Sequence, residues 1–314
     1  MNDNIAKWLF ETSAVRVCPE NKPFWYTSGR IGPFYINTHF LYGSEEKANA
    51  LLKRMDGLLS DKIGCSGEIE AMVLDNLGED AIFRGVINAM VAKIESSVDV
   101  SRVDGISGGE RRDWFFSLAV AHRLKKPHLT LFKDMEAVLY AGRDLKAVLH
   151  AGDDLAATSN LPAPGSSVIM KSLPGMRFLH VADLITTASS YEKAWVPAIR
   201  KLGAEMPWSL VVVDRLQGGG ECLAALGVES LALTEIRPEL FESAVKAGML
   251  DASRLKLVLD YMADPEGSMG RFVAKHPEFM AEALAGDEKT AVRARLCLEN
   301  GFYPAADSDK PGVR

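Results

Sequence analysis

The sequence predicts an α/β protein with a mostly parallel sheet flanked by helices, and three observations predict it. From residue 102 onward, candidate strands at 102–106, 128–132, 177–182, 208–214 and 229–233 alternate with candidate helices at 111–125, 190–202 and 218–226. That order builds one sheet covered on both faces. Ahead of it, residues 44–97 carry helical periodicity with no strand candidate, which predicts a helical layer. Third, the run 176–190, Met-Arg-Phe-Leu-His-Val-Ala-Asp-Leu-Ile-Thr-Thr-Ala-Ser-Ser, passes from an apolar strand through an acid into a hydroxyl-rich turn, and a helical pattern starts near Tyr191. Strand, loop and helix in that order aim backbone N–H groups and hydroxyls at the positive end of the helix, which makes an anion cradle.

Taken in chain order, residues 2–14 read as a short amphipathic helix. Phe24-Trp25-Tyr26-Thr27 and Phe34-Tyr35-Ile36-Asn37 flank a turn at Ser28-Gly29-Arg30, which predicts a hairpin over 24–37. Ser44 precedes Glu45 and Glu46 as an N-cap, with helix to about Lys62 and again over 68–95. Residues 136–145 and 146–155 are a tandem duplication identical at seven of ten positions, too few copies for a solenoid and expected inside a connection. The stretch 157–167, with Pro162, Pro164 and Gly165, reads as loop. After Pro238 the pattern is helical to near Asn300, broken at Pro265-Glu266-Gly267 and Pro277, and the last dozen residues are expected to fray. These elements divide the chain into a hairpin and helical hood (1–100), an α/β core (101–236) and a C-terminal helical extension (237–314).

With 314 residues, 47% of them apolar, the chain is long enough for a sizeable core. A net charge of −6 argues against a general nucleic-acid or anionic-membrane surface, though not against a local basic pocket. No apolar run is long enough to cross a bilayer and the start, Met-Asn-Asp-Asn, is no signal peptide, so a cytoplasmic protein is expected. Cys18, Cys65, Cys222 and Cys297 are far apart and read as free thiols; no metal held by protein ligands is expected.

Two further segments carry candidate chemistry. In Asp104-Gly105-Ile106-Ser107-Gly108-Gly109-Glu110-Arg111-Arg112, the glycines would let backbone amides approach an anion, and Arg111 and Arg112 would add bidentate contacts. Arginine at a helix start opposes the macrodipole, which points to an anion; the plain alternative is a solvated arginine pair. Downstream, Val211-Val212-Val213-Asp214-Arg215 ends a strand, and Gly218-Gly219-Gly220-Glu221 follows.

Four segments in order, spanning roughly residues 14–235, resemble the orotate phosphoribosyltransferases of the type I phosphoribosyltransferase family. The resemblance implies that fold, with the hairpin over the carboxyl edge of the sheet. It puts Tyr35 and Ile36 against the base, with Thr27 in place of a lysine. It makes Gly108, Gly109, Arg111 and Arg112 the pyrophosphate loop. It gives Asp183 the ribose hydroxyls, with Ala182 where a first acid is usual. It wraps Thr186, Thr187, Ala188, Ser189 and Ser190 around the 5′-phosphate, with Ala188 and Ser189 where glycine is usual. Arg215 would meet the orotate carboxylate; the alternative pairs it with Asp214 or Glu221.

The mobile catalytic loop is degenerate. Lys133 and Asp134 survive, as Phe132-Lys133-Asp134-Met135-Glu136-Ala137-Val138, but a second lysine falls on Glu136 and a histidine on Val138. Lys146 and His150 lie nearby at the wrong spacing to substitute. The resemblance implies a catalytic role for Lys133 and Asp183, Mg²⁺ carried with phosphoribosyl diphosphate, a nucleobase acceptor and a homodimer. Lost loop cations weaken the leaving-group side of the reaction, so three readings stand. One is an enzyme transferring phosphoribose to orotate or a related base; another is an inactive homologue that binds a nucleotide as sensor or interaction protein; the third is a wholly structural use through the helices at 44–97 and 238–300.

Overall fold

The computed structural model of the chain describes residues 3–143 and 162–303. The chain packs as two compact units, one of Met1–Ser13 with Thr38–Ile236 and one of Ala14–Asn37 with Arg237–Arg314.

The second unit contains four short strands, β1 (Val15–Val17), β2 (Phe24–Trp25), β3 (Ile31–Gly32) and β4 (Phe34–Ile36). β2 and β3 pair antiparallel around a turn in which Gly29 has φ +81°, a conformation that suits glycine. The hairpin expected over 24–37 is thus shorter than its span, because β4 pairs with β1 instead. Pro33 between β3 and β4 has no N–H to donate to a ladder, and its carbonyl accepts from Cys18. Five helices follow: Pro238–Lys246, Ala252–Ala263, Pro265–Lys275, Pro277–Ala285 and Glu288–Glu299. Pro265 and Pro277, expected as breaks, each open a helix, where a missing N–H costs nothing. The core of this unit gathers Trp25, Ile31, Met269, Ala283, Ala294, Cys297 and Tyr303.

The first unit holds a seven-stranded sheet. Its strands are β5 (Gly105–Gly109), β6 (His128–Leu131), β7 (Ala137–Tyr140), β8 (Ser167–Ile169), β9 (Arg177–Ile185), β10 (Glu205–Asp214) and β11 (Glu229–Glu235). The order is β11-β10-β9-β5-β6-β7-β8, parallel from β11 to β6, with β7 and β8 antiparallel at one edge. About five parallel strands were expected, and β7 and β8 are the additions. β7 lies in the first copy of the duplication, expected as connection; the second copy falls outside the described residues. All four residues of β7 are buried, so it shows no alternation to read.

Helix Trp114–Leu124 packs on β5 and β9, with helices Lys62–Glu79 and Ala81–Ser97 against it. These two and Glu45–Leu58 form the expected helical layer, their N-termini capped by Ser44, Asp61 and Asp80. On the opposite face Trp195, Val196 and Ile199 pack with Leu129, Phe178 and Ala182. Adjacent β5 and β9 connect in opposite directions across the sheet. The crevice beyond their carboxyl ends is therefore the switch point where ligands bind in open α/β sheets.

Candidate functional site

A cavity of about 350 Å³ opens at that switch point. Two segments build it. After β5 the chain runs Glu110-Arg111-Arg112-Asp113 into the helix; after β9 it turns through 186–190 into the next helix.

The first segment differs from a glycine-lined anion loop. Gly108 and Gly109 lie inside β5, fully buried, and are not part of the cavity wall. Gly109 donates its N–H to Asp113 Oδ2 at 3.0 Å, and the Gly108 carbonyl accepts from Trp114 Nε1. The glycines serve packing: a Cβ on Gly109 would lie 2.3 Å from the Trp195 indole, and one on Gly108 would lie 2.2 Å from Ser117 Oγ. Arg111 and Arg112 do line the cavity. Arg111 is paired with Asp56. Arg112 is exposed and forms no ion pair among the described residues.

The second segment supplies an acid and a turn. Asp183 is buried at the cavity floor, its backbone N–H donated to Asp113 Oδ1 at 3.1 Å. Burial, and then the negative charge of Asp113, push its carboxyl up to about 7, against the pull of Arg112 and of a hydrogen bond from the Leu184 N–H. Ala182 contributes only a buried methyl to the wall. Thr186, Ala188, Ser189 and Ser190 line the mouth; Thr187 is exposed beside them. None of the backbone N–H groups of 186–190 is donated to a protein acceptor among the described residues. Ala188 has φ +58°, the left-handed conformation that explains why glycine suits this position. The helix opens with a π-type turn, Tyr191–Trp195, and continues as Val196–Lys201.

Lys133 reaches the cavity but is held by Glu110, which accepts from its backbone N–H at 3.1 Å and lies 3.6 Å from its Nζ. Asp134 and Glu136 both bind Lys62 instead of facing the cavity. Lys146 and His150 lie outside the described residues. Arg215 donates its N–H to the Ile185 carbonyl, does not line the cavity, and pairs with neither Asp214 nor Glu221. Tyr35 and Ile36 belong to the second unit, Tyr35 against Phe24 and Tyr26, Ile36 buried opposite Val15.

Sequence reasoning missed three members of the site. Asp113 reads in sequence as a helix-opening acid. His180 is buried in β9, its Nδ1 3.0 Å from Ser107 Oγ and its Nε2 3.6 Å from Asp113 Oδ2. Trp195 stacks over His180 while lining the cavity. The His180-x-x-Asp183 pair of polar residues in an apolar strand was the available signal. No group of three or more His, Cys, Asp or Glu side chains among the described residues is placed to hold a metal.

No protein-family profile matches the chain. Among curated proteins, orotate phosphoribosyltransferase of Sulfolobus acidocaldarius is 34% identical over 88 residues, 28% of this chain and 44% of that enzyme. The orotate phosphoribosyltransferase of Rhodopirellula baltica is 42% identical over 64 residues, 20% of this chain and 33% of the relative. The matches thus span less than half the length of these relatives. An adenine phosphoribosyltransferase of Methylobacterium nodulans is 29% identical over 171 residues, 51% of this chain and 80% of the relative. Among solved structures, Leishmania donovani UMP synthase superposes with a TM-score of 0.51 at 18% identity, over 83% of this chain and 42% of that one. Over these segments the chain is similar in sequence to orotate phosphoribosyltransferases, and in fold it resembles the type I phosphoribosyltransferases.

Proposed function

We propose that the cavity binds phosphoribosyl diphosphate with Mg²⁺ and that the chain transfers its phosphoribosyl group to orotate or a related base. One observation carries the reading: Asp183, Arg112 with no ion pair among the described residues, and Thr186, Ala188, Ser189 and Ser190 with N–H groups committed to no protein acceptor there all line one cavity at the switch point. In that reading the turn holds the 5′-phosphate, ionised Asp183 accepts from ribose hydroxyls, and Arg112 faces the diphosphate. Mg²⁺ carried on the diphosphate's own oxygens would supply charge neutralisation for the leaving group. The C1–O bond to diphosphate breaks, a C1–N bond to the base forms, and the base's N–H proton passes to solvent. Lys133 has to leave Glu110 to meet the leaving group. A cytoplasmic location suits these substrates, and among the described residues no helix is long and apolar enough to cross a membrane.

A second reading, a nucleotide-binding protein without catalysis, is favoured by the same cations. Lys133 is held by Glu110 and Arg111 by Asp56, and the second loop lysine is Glu136. Calorimetry with phosphoribosyl diphosphate and Mg²⁺, then pyrophosphate release with a panel of bases, separates the two. Binding with release supports the enzyme, binding without release the sensor, and no binding removes both. Asp183→Ala is expected to weaken phosphoribosyl diphosphate by about 1–3 kcal/mol, since its hydroxyl partners go unpaired. Arg215→Ala is expected to weaken an acidic acceptor and spare phosphoribosyl diphosphate. If both variants bind every ligand like the parent, the site is vestigial. We also propose a homodimer; a monomer in light scattering at micromolar concentration removes that idea.

A further inference from the structure

The acid lost at Ala182 leaves one carboxyl on β9, yet the cavity floor holds two. Asp113, from the turn after β5, lines the same cavity and is as buried as Asp183, each 8% exposed. Its two oxygens accept the N–H groups of Gly109 at 3.0 Å and Asp183 at 3.1 Å, so the carboxylate is locked between the ends of two neighbouring strands. A carboxylate has about four acceptor positions, and two are used by these amides. The capacity that remains is at a cavity wall, beside Asp183.

Resting on the phosphoribosyl reading above, we infer that Asp113 replaces the acid missing at Ala182, so that Asp113, from the turn after β5, and Asp183, from β9, together accept the two vicinal hydroxyls of a ribose ring. The pairing costs something: two acids side by side in a buried site repel, which contributes to the raised carboxyl of Asp183. The groups facing the pair are few. Arg112 lies on the Asp113 side and favours ionisation of Asp183. His180 Nε2 stands 3.6 Å from Asp113. The Tyr191 phenol, bonded to Ser209, feels both carboxyls and Asp214. Glu110 and Lys133, bound to each other, and Arg111, paired with Asp56, also line the cavity.

Only ionised Asp183 accepts with both oxygens, and its raised carboxyl ionises as pH climbs through about 7. Affinity for the diol therefore rises with pH across neutrality in the parent chain. With Asp113→Asn the neighbouring charge is gone, and the rise is expected at lower pH.

The probes are ribose 5-phosphate and its 2-deoxy and 3-deoxy analogues, compared by calorimetry between pH 5 and 8.5 as affinity ratios, so that ionisation of the shared phosphate cancels. The parent is expected to prefer ribose 5-phosphate to each analogue by about ten-fold or more, one charged hydrogen bond each. Asp113→Asn is expected to lose discrimination against one analogue and Asp183→Asn against the other. An Asp113→Asn chain that discriminates against both like the parent, with an unmoved pH dependence, overturns the inference while leaving the phosphoribosyl reading standing. A parent that binds none of the three overturns that reading, and this inference with it. Should Asp113→Asn fail to fold, carboxylate carbon-13 NMR on the parent decides. Ribose 5-phosphate moves both the Asp113 and Asp183 resonances if they act as a pair, and a silent Asp113 overturns it.

Discussion

Gly109 shows how a residue can be legible in sequence for a reason the structure replaces. Two glycines after a strand suggest backbone amides open to a phosphate, and the cavity does lie just beyond them. Yet the Gly109 N–H already serves Asp113, and the missing side chain makes room for Trp195. Sequence does not separate a glycine that admits a ligand from one that admits a neighbour's ring. Trp195 is buried and stacked on His180, so it has little freedom to retreat. Gly109→Ala is expected to cost about 1–3 kcal/mol through overpacking, read as a lower urea midpoint with an unchanged slope. A parental midpoint would show that the indole moves aside freely. Asp113 and His180 escaped for a related reason. Each looks ordinary in its own element, one as a helix-opening acid and one as a lone polar residue in an apolar run, and only the β5–β9 pairing brings them together.

Among the elements, β9 with its turn and helix was legible in order, because an apolar run that ends in an acid and hydroxyls changes period at the turn. β7 and β8 were not. β7 is short and buried on both faces, β8 is three exposed or half-buried residues, and neither alternates. The turn itself carries a strain that sequence hinted at through the residue found where glycine is usual. Ala188 sits at φ +58° and is buried against the core below the helix. Its carbonyl accepts from the Glu192 N–H, which fixes the entry into the helix. A β-branched side chain is poorly tolerated in this conformation, so Ala188→Val is expected to destabilise the chain by about 1–2 kcal/mol. It should also weaken any phosphate held by 186–190. A stability loss with unchanged affinity for ribose 5-phosphate would separate the turn's packing role from ligand binding and count against the cradle.

At the scale of the whole chain, segments more than 200 residues apart in sequence share one core. Local periodicity reports which face of a helix is apolar, not which distant segment covers it, so the partnership of 14–37 with the C-terminal helices was not readable. The structure gives it specific contacts. Trp25 stacks on Phe279 with ring centroids 5.4 Å apart, and its carbonyl accepts from Arg293 at 2.9 Å. Phe34 lies against Phe241 and Tyr261, and the Ile31 N–H is donated to the Tyr303 hydroxyl at 3.3 Å. Arg30 combines an ion pair to Glu266 with a place over the Phe302 ring. Strands of two or three residues have no independent stability, and each buried aromatic or branched side chain here contributes about 1.5–3 kcal/mol that depends on those helices. A chain ending at Ile236 is therefore expected to lose order over 14–37 while the sheet persists on its own core. Hydrogen exchange reads this directly: amides of β1–β4 should exchange fast in the shortened chain while those of β9 and β10 stay protected. If β1–β4 stay protected without residues 237–314, their stability comes from elsewhere and the shared core is not what holds them. If β9 and β10 lose protection as well, the first unit does not fold without the second.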